Sequence, residues 1–122
     1  MKIFKTKSFT QFSRKKEITD RELLKTAIEV ENGLIDASLG GGIIKKRVAR
    51  QGQGKSGGFR VIICFKEGER LFFVHGFAKS SQDNISVEEL HDFKDLAKIL
   101  FNLPEADLKA AIETGALREI TE

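Results

Sequence analysis

Apolar positions change their spacing several times along this chain, and each change marks an element. Ile3 and Phe4 begin it as a short apolar pair that suits a strand. Phe9 and Phe12 follow at helical spacing, which predicts a short first helix ending near Lys16. Thr19 and Glu22 then form a capping box, in which each side chain satisfies a backbone N–H of the first turn. Leu23, Leu24, Ala27, Ile28 and Val30 continue the helical spacing until Asn32-Gly33 ends it. Gly40-Gly41-Gly42 reads as a flexible break.

Beyond the glycines the pattern is that of strands. Ile43–Arg50 is β-rich and basic. In Gln51–Gly58 four of eight residues are Gly, so the segment is expected to lack regular structure. Phe59–Lys66 and Arg70–Lys79 are apolar on both faces, as strands covered on both sides or at a tightly packed edge are, with a turn at Glu67-Gly68-Glu69. Three strands so closely spaced predict an antiparallel meander. Ser86 and Glu89 make a second capping box, and Val87, Leu90, Phe93, Leu96, Ala97, Leu100 and Phe101 form the apolar stripe of a helix that packs on the sheet. Pro104 restarts the chain into a short helix with Leu108, Ala111 and Ile112 apolar and Gly115 at its end. The expectation is an α+β fold: a small antiparallel meander sheet with N-terminal helices and a C-terminal helix packed on it.

Length and composition fit one domain with a modest core to which ten Phe contribute. Met1–Phe12 carries Lys2, Lys5 and Lys7 with no apolar run after them, unlike a signal peptide, and no stretch approaches the ~18 apolar residues of a membrane helix. The lone Cys64 lies in an apolar strand run and reads as a small core residue of a protein in the reducing cytoplasm. Charge is unevenly placed. Residues 1–79 hold 17 Lys and Arg against 8 Asp and Glu, whereas residues 80–122 hold 4 against 10. From Lys45 to Arg60 there are six basic residues and no acid, which points to a polyanionic partner.

The chemistry-bearing residues concentrate in the same segment. Strand alternation puts Lys45 and Arg47 on one face, and a hairpin with the next strand brings Arg60 near them. With Lys79 closing the last strand, these residues form a phosphate cradle; the plain alternative is a set of solvated strand charges. Lys46 shares the other face with Ile44 and Val48, at an edge or bend. Together with Arg50 and Lys55 of the glycine loop it is expected to track a nucleic acid backbone. Gly54-Lys55-Ser56 is no nucleotide-binding loop, because Ala49 stands where the motif needs Gly and a strand follows instead of a helix. Alternation groups His75 with Leu71, Phe73 and Phe77 on the Lys79 strand face, as a candidate acid or base. His91, among Asp and Glu, reads as a surface residue. The sequence shows no metal-ligand cluster and no cofactor motif, so neither is expected.

The run Gly41-Gly42-Ile43-Ile44-Lys45-Lys46-Arg47-Val48-Ala49, the Gly/Lys loop, and Gly57-Gly58-Phe59-Arg60-Val61-Ile62 resemble the core of RelE-type toxins of the RelE/ParE superfamily, most of all the HigB-like branch. Phe77-Ala78-Lys79-Ser80 with Asp83-Asn84-Ile85-Ser86 and Glu89 resembles the end of that family's last core strand and its following helix. The resemblance covers roughly residues 1–102, a toxin domain to which residues 103–122 add a short helical extension. It implies the toxin of a type II toxin–antitoxin module, a cytoplasmic mRNA interferase that enters the ribosome and cuts mRNA through the RNA 2′-OH without a metal. Carried over by position, Lys45, Arg47, Arg60 and Lys79 are the catalytic set, with Arg60 on the phosphate and Lys79 as base or acid. The implied partners are a neighbouring helix-turn-helix antitoxin, the ribosome and mRNA, with operator DNA reached only through the antitoxin complex. Some members carry a Tyr after the last strand. This chain has none, which either hands that part to His75, Lys79 or a ribosomal group or makes this member a poor cutter. The alternatives are a ParE-like gyrase inhibitor without RNA chemistry and a degenerate co-repressor that only binds its antitoxin.

Overall fold

The computed structural model describes the backbone of residues 1–50, 54–78 and 84–121, and their side chains except at 49, 50 and 54–57. The described elements run β1 (Lys2–Thr6), α1 (Lys7–Lys15), α2 (Asp20–Glu31), β2 (Ala37–Gly40), β3 (Ile43–Arg50), β4 (Gly54–Lys66), β5 (Arg70–Ala78), α3 (Val87–Phe101), α4 (Glu105–Thr114) and β6 (Leu117–Glu119). The fold class is α+β. One six-stranded sheet has the order β2-β3-β4-β5-β1-β6. The meander β3-β4-β5 is antiparallel, as its spacing predicts. β1 joins its open edge parallel to β5, and β6 then pairs antiparallel with β1.

The helices divide between the two faces. α1 and α2 cover one face, where Phe9, Leu23, Ala27 and Val30 meet Ile44, Val61, Ile63 and Phe73. α3 and α4 cover the other, where Ala97, Leu100 and Leu108 meet Phe4, Ile43, Ile62, Cys64 and Phe72. Both capping boxes form: Thr19 Oγ1 accepts from Glu22 N–H at 3.2 Å, and Ser86 Oγ accepts from Glu89 N–H at 3.0 Å. The chain enters α1 through Thr6, whose hydroxyl accepts from Phe9 N–H. Phe12 then lies so close to Gly76 of β5 that a Cβ there would come within 2.3 Å of its ring, so only glycine fits under α1. At the far end of α3, Arg70 donates to the Leu100 carbonyl at 2.9 Å and pairs with Glu105, which Lys2 also holds. The salt-bridged Lys2 and Arg70 keep the Glu105 carboxyl below its ordinary range, the Lys2 hydrogen bond first.

Four expectations change. Gly40, Gly41 and Gly42 are no loose break: all three have positive φ, Gly40 ends β2 paired with Ile43, and Gly41-Gly42 form the tight turn of a β2-β3 hairpin. The glycine-rich segment is in part a strand, since β4 starts at Gly54, paired with Arg50. The absence of a side chain weakens a strand, but here pairing along the long β3-β4 hairpin outweighs it. The C-terminal segment holds a strand as well as a helix, because β6 finds a partner in β1. Finally, β5 carries an extra residue. Ile62 pairs with His75 but Ile63 pairs with Phe73, so both Val74 and His75 oppose one residue of β4.

Candidate functional site

That extra residue decides which face His75 takes. Leu71 and Phe73 belong to the core under α1 and α2, whereas Phe72, Val74 and Phe77 belong to the core under α3. The bulge thus breaks the grouping of His75 and Phe77 with Leu71 and Phe73. It carries both to the α3 face, where they share two cross-strand rows with basic residues. One row is Lys45–Ile62–His75 and the next is Arg47–Arg60–Phe77. Neighbouring rows on one face are about 7 Å apart, within reach of long side chains.

Arg47 and Arg60 therefore stand directly opposite each other, as the hairpin predicts. Like charges so placed repel unless something negative lies between or beside them. Asp36, just before β2, draws off one of them: its Oδ1 lies 3.4 Å from Arg47 Nε. Arg60 is half-buried, and its Nη1 is shut off from solvent with no hydrogen-bond partner among the described residues. An orphaned, buried guanidinium donor is costly, and an anionic oxygen is the ligand that relieves it. Lys45 is half-buried one row away.

His75 lies half-buried between the rings of Phe93 and Phe77, at centroid distances of 5.4 and 5.9 Å. Burial lowers its pKa, against the opposing pull of Glu89, whose Oε2 is 3.9 Å from Nε2. The imidazole is thereby biased to its neutral form, the state a proton acceptor needs.

Not every predicted residue joins this site. Lys46 is removed from it, and the reason is alternation: it points under α2, is 5% exposed, and its Nζ is 3.5 Å from Glu29 Oε1. Arg50 ends β3 and Lys55 opens β4, but their side chains lie outside the described residues, and so does Lys79 altogether. Cys64 is fully buried, and burial pushes its thiol up to about 12, which fits a core residue. His91 is exposed on α3 beside Asp95, with Asp92 close by, an ordinary solvated helix face. Three contributors are not marked by the sequence pattern as site residues. Glu89 was visible as a helix cap and Phe93 as part of the apolar stripe, but only the packing of α3 against the bulge brings them to His75. Asp36 lies outside every periodic segment.

Among the described residues no helix is long and apolar enough to cross a membrane. No curated protein matches the chain. The family model described as the RelE toxin of the RelE/RelB toxin–antitoxin system matches residues 1–120. That span takes in α4 and β6 as well as the basic sheet face. A six-stranded, mostly antiparallel sheet flanked by helices is consistent with that match, and on it the chain belongs to the RelE toxin family.

Proposed function

We propose that this toxin is a ribosome-dependent mRNA endonuclease whose scissile phosphate binds on the face built by Lys45, Arg47 and Arg60. The observation that supports this most is the Arg47–Arg60 pair, two opposed cations of which one keeps a buried donor unpartnered among the described residues. RNA supplies the nucleophile. The 2′-oxygen attacks the adjacent phosphorus, the P–O5′ bond breaks, and the products are a 2′,3′-cyclic phosphate and a 5′-hydroxyl. Arg60 stabilises the charge that grows on the phosphoryl oxygens, and Lys45 and Arg47 align the backbone. His75 takes the 2′-OH proton, which its bias to the neutral form favours. Lys79, next in sequence after β5, is assigned the proton delivered to O5′. Arg50 and Lys55 extend the contact along the RNA backbone.

An antitoxin is the expected partner, as the family's RelE/RelB pairing implies. With net positive charge over residues 1–79, the toxin offers an acidic antitoxin segment a fast, salt-sensitive encounter on the basic face or its flanking helices. A small adjacent gene with a helix-turn-helix pattern is the place to look, and co-purification at low salt tests the pairing. The function itself is tested by expressing the toxin alone and following pulse-labelled protein and DNA synthesis. Protein synthesis should stop first, with new 5′-hydroxyl ends on ribosome-bound mRNA. Arrest of DNA synthesis first, with mRNA intact, overturns the reading in favour of gyrase inhibition.

A further inference from the structure

Glu89 is held in two ways at the first turn of α3. Its Oε1 accepts the Ser86 N–H at 2.9 Å, and its own N–H donates to Ser86 Oγ at 3.0 Å. With one oxygen committed to the cap, the other faces His75 Nε2 at 3.9 Å. Nε2 itself is closed to solvent and makes no hydrogen bond at that distance. Among the described residues the Phe77 and Phe93 rings flank the imidazole and Ile62 stands opposite it on β4, none of them charged. Arg60 lies diagonally on β4 and Lys45 two strands away. Burial favours a neutral imidazole, and Glu89 opposes it.

A buried ring nitrogen that faces a carboxylate oxygen is attracted if it carries a proton and repelled if it presents a lone pair. We propose that Glu89 is a positioning residue: it fixes the His75 tautomer that carries its proton on Nε2, which leaves Nδ1 to exchange protons with the substrate. This rests on the endonuclease reading only for the identity of that substrate. The tautomer belongs to the protein itself. Capping box and tautomer are thus coupled, since the same carboxylate that starts α3 also orients the imidazole packed against it.

The test is nitrogen NMR of the two histidines in the full chain, with His91→Gln to assign His75. Wild type should show the Nε2-protonated tautomer at neutral pH. In Glu89→Gln the amide oxygen keeps the Ser86 cap and the NH2 turns to the ring, so the tautomer should invert to Nδ1–H and the titration midpoint should fall. Ser86→Ala loosens the cap but leaves the carboxylate, and should keep the wild-type tautomer. In mRNA cleavage, Glu89→Gln should lower kcat about tenfold with little change in KM. An unchanged tautomer and midpoint in a folded Glu89→Gln overturns the inference. A wild type that cuts no RNA overturns the endonuclease reading, and the NMR result still decides the positioning role.

Discussion

Under α1 and α2, two lysines are buried and each has found a carboxylate. Lys5 reaches Asp20 at 2.6 Å near the start of α2, and Lys46 reaches Glu29 near its end, so the helix is tied to the sheet at two points. On the α3 face β3 and β4 present Lys45, Arg47 and Arg60, and there the pairing is incomplete among the described residues. Among the described residues only Arg47 is drawn to an acid, while Arg60 keeps a buried Nη1 without a hydrogen-bond partner. Residues 45, 46 and 47 are consecutive and all basic, yet they serve different ends, because the pleat sends them to opposite layers. A paired buried cation is part of a fold's architecture; a buried donor without a partner among the described residues, beside a second cation, is what supports the proposed phosphate site.

Removing a charge from each face should have opposite consequences. Arg60→Ala should give the largest functional effect, a loss of about 3 kcal/mol in transition-state stabilisation, or roughly a hundredfold in cleavage rate, with little change in Tm. A folded mutant that cuts ribosome-bound mRNA at the wild-type rate removes Arg60 from the mechanism. Lys46→Ala should do the reverse. Losing the cation beside Glu29 should cost on the order of 2–3 kcal/mol of stability, discounted because Glu29 is partly exposed. Cleavage per folded molecule should persist, as denaturant unfolding beside a cleavage assay would show. Gly76→Ala forces a methyl against the Phe12 ring. It should cost about 2 kcal/mol by overpacking, confined to the α1 face; a wild-type melt would mean that α1 shifts freely. The smallest effect is on pH dependence. Burial lowers the His75 pKa below its ordinary 6.5, so the unfolded chain binds the extra proton more readily. Stability contributed by neutral His75 is full above about pH 6.5 and declines as the pH falls toward the lower folded value. Thermal melts between pH 5 and 7.5 should show that slope, and His75→Gln should flatten it.

Much of this was legible in the chain. Both capping boxes, the helical stripe of α3, the β3-β4-β5 meander and the approach of Arg47 to Arg60 follow from local spacing, since helix caps and strand alternation are read within a few residues. What escaped is non-local. β6 is three residues long and exists only because β1 offers it an edge. Gly42 looks permissive in sequence, but a Cβ there would lie 2.7 Å from the Phe101 ring, nearly sixty residues on. Glu89 and Asp36 reach the site through tertiary contacts, and nothing in their neighbourhood in sequence announces it.

The added residue in β5 acts as a change of phase. Upstream of it, odd-numbered positions belong to one layer; downstream, odd-numbered positions belong to the other, as Phe73 and Phe77 show. A sequence comparison that slides β5 by one position to save a gap would therefore line His75 up with residues buried beneath α1. The parity of β5 beyond residue 74 is the quantity to preserve when aligning relatives or grafting this site onto another sheet. A histidine moved with its identity intact and its parity lost would face a different partner.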